Sequence, residues 1–249
     1  MVIDFHSHFG RNAKPLSFQK KHDVTKEQVL LAQKEAGIDY STAIPFPAAY
    51  SEDLAELNNA VSELNHPSLL PFLWLNPYFL RSNDSRGTHE TLIVAKIREA
   101  GIYGLKVHPV CDAYYPSVEL LTPIFEIARV VSRPILWHTG WASFGEARFV
   151  KALAKENPDV VIVIGHMVDN NSPEIARECD NVFLETSYCS GPRRLAGVCQ
   201  EIGSEKILFG TDFPVNDIVF QKTLVLRAKI SDQEKENILG FNAKRLLKI

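Results

Sequence analysis

Hydrophobic and polar positions divide the chain into two kinds of alternating segment. Short apolar runs rich in branched and aromatic residues predict buried strands, and the longer amphipathic segments between them predict helices. In residues 51–64, for example, Leu54, Leu57, Val61 and Leu64 recur at the three-to-four spacing of one helix face. Eight strands are predicted in this way, at residues 2–9, 40–46, 69–77, 102–108, 134–139, 160–166, 181–188 and 206–212.

The predicted helices alternate with these strands. They cover residues 25–36, 51–64, 89–100, 117–131, 145–156, 173–179 and 192–202, and a charged amphipathic helix follows at 231–249. Eight strand–helix units in 249 residues predict an α/β protein, a single closed (β/α)8 TIM barrel over residues 1–249. The alternative is a doubly wound open sheet, but nucleotide binding by such a sheet needs a glycine-rich phosphate turn, which the sequence lacks.

Composition narrows the class of protein and of partner. Hydrophobic residues make up 45% of the chain and charged residues 23%, which is typical of an ordinary globular domain. The formal net charge of -3 and the scattered basic residues give no indication of nucleic-acid or membrane binding. The four cysteines form no CxxC pair, which indicates reduced thiols. We therefore expect a cytoplasmic protein that acts on a small molecule, with a homodimer possible through exposed outer helices.

Two long polar loops follow predicted strand ends. They span residues 10–23 and 77–88, on the face of a barrel where the carboxyl ends of the strands carry active sites. Each loop could be a lid over a site or a tolerated surface insertion.

The candidate chemistry lies at the carboxyl ends of the strands. His6 and His8 are one residue apart at the end of the first strand, so their side chains point to the same side. Other strands end in Lys106, His108, His138, His166 and Asp212. An apolar strand that ends in a histidine or aspartate is costly unless that group is hydrogen-bonded or coordinated. The repetition indicates one shared site, although His6 and His8 alone could be ordinary core or surface histidines.

A closed barrel would bring several of these residues to one mouth. Three imidazoles and a carboxylate from strands one, five, six and eight are a suitable ligand set for zinc, with one position left for water. The order and placement of the motifs resemble the amidohydrolase superfamily, in particular its amidohydrolase-2 branch, which includes aminocarboxymuconate-semialdehyde decarboxylase. The motifs are His6-x-His8, Gly-Leu-Lys106-Val-His108-Pro, His138-Thr-Gly, Gly-His166, Phe-Gly-Thr-Asp212-Phe-Pro and Ile238-Leu-Gly-Phe-Asn242-Ala, and the resemblance covers residues 2–246.

The resemblance implies roles for individual residues. His6, His8, His138 and Asp212 would be metal ligands, and His166 would be a catalytic histidine beside the metal-bound water. Lys106 would bridge two metal ions if it were carboxylated, as in binuclear relatives, and His166 could then be a ligand of the second ion. We expect one Zn2+ ion, with Mn2+ or a second metal ion as alternatives.

The expected reaction is hydrolysis of a small amide, ester or lactone, with Asp212 as the base for a metal-activated water. His166 would stabilise the developing oxyanion or position the water. The residues expected to bind a substrate that carries a carboxylate are Lys106, His108, Arg11, Trp141 and Tyr188. The alternative is a non-oxidative, metal-dependent decarboxylase of a small aromatic or enoic acid, because the same ligands could hold a substrate carboxylate. A barrel that binds a metal without catalysis is a third possibility, which the complete ligand set disfavours.

Overall fold

Eight parallel strands form the centre of the protein. The structure is a computed structural model that describes residues 1–11, 22–47, 51–80 and 86–249. The strands are β1 (Ile3–Asp4), β2 (Tyr40–Ala43), β3 (Leu69–Trp74), β4 (Gly104–Val107), β5 (Ile135–His138), β6 (Ile162–Gly165), β7 (Val182–Glu185) and β8 (Ile207–Leu208). They pair in the order of the sequence.

Hydrogen bonds between the first strand and the segment after the last close the sheet. The amide of Phe5 donates to the Phe209 carbonyl at 2.8 Å, and the amide of Asp212 donates to the His6 carbonyl at 2.6 Å. The amide of His8 donates to the Phe213 carbonyl at 2.7 Å. These bonds complete the (β/α)8 barrel predicted from the sequence.

Helices connect the strands and cover the outside of the barrel. They are α1 (Lys26–Ala36), α2 (Ser51–Ser62), α3 (Pro77–Leu80), α4 (Arg86–Glu99), α5 (Val118–Val131), α6 (Arg148–Glu156), α7 (Ser172–Glu178), α8 (Pro192–Ile202), α9 (Ile218–Arg227), α10 (Asp232–Glu236) and α11 (Asn242–Leu247). Side-chain caps begin several of them: Thr25 and Gln28 form a capping box at α1, and Ser117 accepts from the Leu120 amide at α5. No helix in the described ranges is long and apolar enough to cross a membrane.

Alternation along the strands separates the core from the site. In β4 and β5 the side chains of Leu105, Val107, Ile135 and Trp137 pack in one apolar cluster with residues of the outer helices. The positions between them point to the interior, and Lys106 lies beside Leu136 in the register of the two strands. Polar residues at inward positions near the strand ends therefore converge at the mouth.

The elements differ from the sequence prediction in four places. Helix α9 was not predicted, because apolar residues lie all around it and Val219 and Phe220 are exposed. The single helix predicted at 231–249 is divided into α10, a π-helical turn at Asn237–Phe241 and α11. In the predicted loops, Gly10–Arg11 pairs with Asp23–Val24, and α3 lies at the start of 77–88. Residues 12–21 and 81–85 of these loops lie outside the described residues.

Candidate active site

A buried carboxylate joins the ends of β1 and β8 at the mouth. Asp4 accepts hydrogen bonds from the Thr211 amide at 3.0 Å, the Thr211 hydroxyl at 2.6 Å and the His6 amide at 3.1 Å. Burial raises the pKa of Asp4 to about 7. These bonds bring His6 next to Asp212, which adopts a left-handed backbone with φ of 61°. Asp4 thus fixes the positions of His6 and Asp212, which are both candidate metal ligands.

His6, His8 and Asp212 converge on a common point. Oδ1 of Asp212 lies 3.3 Å from Nε2 of His6 and 3.2 Å from Nε2 of His8. The carbonyl of Pro45, which can only accept, lies 3.2 Å from Nδ1 of His8. That ring nitrogen therefore donates, and in the form of the ring that ligates a metal the lone pair lies on Nε2, which faces the carboxylate.

The same argument applies to His6, whose Nδ1 lies 2.9 Å from Oε1 of Glu185. Three acceptor atoms consequently face one another, and they belong to a group whose ligand atoms all lie within 4.8 Å of one another. A cation among the three atoms would stabilise this arrangement, because their lone pairs otherwise repel. Two imidazoles and a carboxylate fit a divalent transition metal.

The charges of the mouth keep Asp212 ionised. Burial alone would raise the pKa of Asp212, but attraction to His6 and His8 in their protonated forms outweighs burial and holds the pKa well below its usual range. Burial also lowers the pKa of His6 well below its usual value. At neutral pH the group therefore consists of a carboxylate and a neutral His6 ring.

Lys106 supplies a cation at the floor of the barrel. Its side chain is 0% exposed, and its Nζ lies 3.2 Å from Nε2 of His6. An ammonium group only donates, so this contact agrees with a lone pair on Nε2 of His6. Burial lowers the pKa of Lys106 to about 8.

His138 and His166 form a hydrogen-bonded pair on the other side of the mouth. Nδ1 of His138 lies 3.0 Å from Nε2 of His166, and the His138 ring stacks on His108 with 3.5 Å between centroids. Burial lowers the pKa of His166 to about 4, so this ring is neutral at neutral pH. His138 lies in the same pocket as the predicted ligands but outside the group formed by His6, His8 and Asp212.

Glu185, at the end of β7, was missed in the sequence analysis. It is 0% exposed and contacts both His6 and the backbone of His166. The signal was present, since an acidic residue in an apolar strand is the same feature that indicated the other candidates. The predicted strand, however, ran on to residue 188, which concealed that Glu185 stands at the strand end.

Aromatic side chains form the walls of a pocket of about 420 Å³ above these groups. Trp141 packs edge-to-face on Tyr188 with 4.8 Å between centroids and stacks on His138 at 5.3 Å. Phe46 and Trp74 also line the pocket. An acidic and cationic floor under aromatic walls suits a small, flat, anionic molecule.

The predicted substrate-binding residues have different positions. Lys106, His108, Trp141 and Tyr188 line the pocket, whereas the structure does not bring Arg11 to it. Arg11 instead forms an exposed ion pair with Glu56 at 3.1 Å. A substrate contact by Arg11 stays a prediction, as do the roles assigned to the pocket residues.

Comparison with known proteins places the chain in a family. The family model described as amidohydrolase matches residues 85–249, more than half of the chain. The chain belongs to the amidohydrolase family. The matched part of this amidohydrolase includes Lys106, His138, His166 and Asp212, and the resemblance noted in the sequence is confirmed. A search of curated proteins gives no match.

Solved structures with the same fold cover the full length of this amidohydrolase. A 2,6-dihydroxybenzoate decarboxylase from Rhizobium matches with a TM-score of 0.76 and 16% identity, over 99% of this chain and 98% of that one. A 5-carboxyvanillate decarboxylase from Sphingomonas paucimobilis matches with 0.78 and 14%, over 100% and 99%. A dihydroxybenzoic acid decarboxylase from Polaromonas sp. JS666, with bound manganese and the inhibitor 2-nitroresorcinol, matches with 0.76 and 18%, over 99% and 96%.

These neighbours correct the expected reaction. Hydrolysis of an amide, ester or lactone was the main expectation from the sequence, and it is wrong, because the reaction that the three neighbours name is decarboxylation. The ligand set could not separate the two reactions, since both use a divalent metal beside a carboxylate. Expectation and finding agree on a metal-dependent enzyme of this superfamily.

Proposed function

We propose that this amidohydrolase is a divalent-metal-dependent, non-oxidative decarboxylase of a small hydroxylated aromatic acid. The observation that carries the proposal is the convergence of His6, His8 and Asp212 under an aromatic pocket of about 420 Å³. The names of the structural neighbours support the reaction and the substrate class.

The residues at the mouth fit a resident metal ion. His6, His8 and Asp212 would hold it, with His138 from the facing strand as the fourth ligand. Bound there, Mn2+ or Zn2+ would supply Lewis acidity toward the substrate carboxylate and the hydroxyl oxygen beside it.

The pocket residues would bind and orient the acid. Lys106 offers an ammonium group from the floor, and a buried cation attracts a carboxylate strongly. Trp141 and Tyr188 would pack on the aromatic ring and exclude water from the reacting carbon. The substrate would thus be held with its carboxylate toward Lys106 and its ring against Trp141 and Tyr188.

The reaction replaces a carboxylate by a proton. The bond between the ring carbon and the carboxylate breaks, carbon dioxide leaves, and the electron pair stays on the ring until a proton has been added. Both ring nitrogens of His166 contact protein groups, His138 and Ser187, so Asp212 is the better proton carrier. Ionised in the free enzyme, Asp212 would take the proton of the substrate hydroxyl and deliver it to the ring carbon. Solvent would then reprotonate the phenolate product.

The test is carbon dioxide release by the protein loaded with Mn2+ or Zn2+. The substrates are 2,6-dihydroxybenzoate, 5-carboxyvanillate and an enoic acid, with benzoate as the acid that lacks the hydroxyl. In deuterated water, we expect one deuterium in the product at the carbon that carried the carboxylate.

Two matched variants separate the site from general effects. Asp212→Asn should lower turnover by about 10²–10⁴-fold because the proton carrier is lost. Asp159→Asn makes the same chemical change in an exposed ion pair with Arg129 and should leave turnover unchanged. Absence of carbon dioxide from every acid, or full activity of Asp212→Asn, would refute the proposal.

A further inference from the structure

Glu185 is a buried acceptor whose two oxygens are both committed to donors. Its Oε1 accepts from the His166 amide at 2.6 Å, and its Oε2 accepts from the Ser187 amide at 2.6 Å. A backbone N–H only donates, so each oxygen of Glu185 is the acceptor at these contacts. The hydrogen-bond pattern therefore makes both oxygens acceptors, in a side chain that is 0% exposed.

Two glycines leave room for this carboxylate. A Cβ at Gly210 would lie 2.3 Å from Oε2 of Glu185, a distance that real Cβ atoms do not reach. A Cβ at Gly165 would lie 3.6 Å from Oε1 and 3.0 Å from the Trp137 carbonyl. The backbones of β6 and of the segment after β8 thus fit closely around the side chain of Glu185.

One branch of hydrogen bonds leads from Glu185 directly to His6. Oε1 lies 2.9 Å from Nδ1 of His6, and a carboxylate can only accept there. Nδ1 consequently carries the hydrogen, and Nε2 keeps the lone pair that faces Asp212 at 3.3 Å.

A second branch leads to His138 through two intermediates. The Ser187 hydroxyl donates its single hydrogen to Oε1 of Glu185 at 2.6 Å, so its oxygen accepts from Nδ1 of His166 at 2.7 Å. Nε2 of the neutral His166 ring is then an acceptor, and the hydrogen of the 3.0 Å bond belongs to Nδ1 of His138. Nε2 of His138 is left with its lone pair.

We propose that Glu185 is a positioning residue which fixes the tautomers of His6 and, through Ser187 and His166, of His138, so that both present Nε2 lone pairs to the metal. The inference rests on the proposed metal site but not on the reaction. Carboxylates that orient ligating histidines raise metal affinity, and their loss typically costs about 10–100-fold.

The first test reads the tautomers in the metal-free protein. Two-bond 1H–15N spectra of the labelled full chain at neutral pH report which ring nitrogen of each histidine carries the hydrogen. We expect the Nδ1–H form for His6, His138 and His166. An Nε2–H form at His6 or His138 would overturn the proposal, whatever reaction the enzyme catalyses.

The second test separates the two branches with variants. In Glu185→Gln, either orientation of the amide places a donor against a backbone N–H, and we expect Zn2+ to bind about 10–100-fold more weakly in a competition titration with a chelator. Ser187→Ala cuts only the second branch, so the His138 tautomer should change while His6 keeps its Nδ1–H form. A Ser187→Ala protein with an unchanged His138 tautomer would refute the relay.

A control variant distinguishes a general loss of stability from the loss of histidine positioning. Asn181 donates to the carbonyls of Ala154, Asn157 and Val160 at the opposite end of β7. Asn181→Ala should lower the melting temperature but leave Zn2+ affinity and all histidine tautomers unchanged. If affinity fell equally in Asn181→Ala and Glu185→Gln, Glu185 would be merely structural. Correct tautomers without carbon dioxide release would leave the positioning role intact and refute only the proposed reaction.

Discussion

Replacing Gly210 by alanine tests how tightly the barrel fits around the Glu185 carboxylate. The added Cβ would lie 2.3 Å from Oε2 and 2.9 Å from Cδ of Glu185, and 3.1 Å from Cβ of His6. Overpacking of a rigid interior costs about 1–3 kcal/mol, and a lost hydrogen bond to a charged group costs about 1.5–3 kcal/mol. Because the two effects relieve each other in part, we expect a loss of about 3 kcal/mol in the free energy of unfolding.

Unfolding in urea and by heat measures this loss. For a chain of this size, about 3 kcal/mol corresponds to a melting temperature lower by roughly 6–12 °C. The matched control is Gly197→Ala in α8, where an added Cβ meets nothing within 4 Å. That variant should be about 1 kcal/mol more stable, since alanine is the better helix former. Such comparisons carry an error of a few tenths of a kcal/mol. If the free energy of unfolding of Gly210→Ala lay within about 0.5 kcal/mol of that of the original protein, the Glu185 carboxylate would not be rigidly held.

Three further predictions concern the pocket, a buried amide and pH. Trp141 is 60% exposed, so Trp141→Ala should raise KM for an aromatic acid several-fold with little change in melting temperature; an unchanged KM would exclude it from the substrate site. Asn242 donates to the carbonyls of Ser204 and Ile207, both at 2.8 Å. Asn242→Leu should therefore lower the free energy of unfolding by about 1–3 kcal/mol, and an unaltered urea midpoint would contradict this expectation. Burial lowers the pKa of four mouth histidines, so the unfolded chain binds more protons below about pH 6.5, and the metal-free protein should lose stability from pH 6.5 to 5. Burial raises the pKa values of Asp4 and Asp112 to about 7, and these two carboxyl groups oppose the trend, but the four histidines outnumber them. A urea midpoint that is higher at pH 5 than at pH 6.5 would contradict the lowered histidine pKa values.

The fold was predictable because its pattern is local and repeated. Each strand–helix unit carries its own apolar periodicity, and eight repetitions determine the barrel. Helix α9 was not predicted, because its exposed Val219 and Phe220 remove the contrast between an apolar and a polar face. The division of the last helix was not predicted either, since a π-helical turn does not change the hydrophobic periodicity of the sequence.

The site was predictable only in part, because hydrogen bonds between distant residues have no sequence pattern. The spacing of His6 and His8 predicted side chains on one side of a strand, and both approach Asp212 in the structure. Glu185 contacts His6 across 179 positions of sequence, and nothing local indicates that contact. The choice between hydrolysis and decarboxylation was wrong because the ligands are common to both reactions.

The bonds between Asp4 and Thr211 have a consequence for biosynthesis. They join residues 207 positions apart, and they hold His6 beside Asp212. While the chain is being made, His6 and His8 leave the ribosome long before their carboxylate partner exists. A nascent chain can therefore expose two histidines but cannot complete the site until β8 has emerged. Any metal ion acquired at that stage would tie the beginning of the chain to its end, so metallation and closure of the barrel would stabilise each other as a late step of maturation.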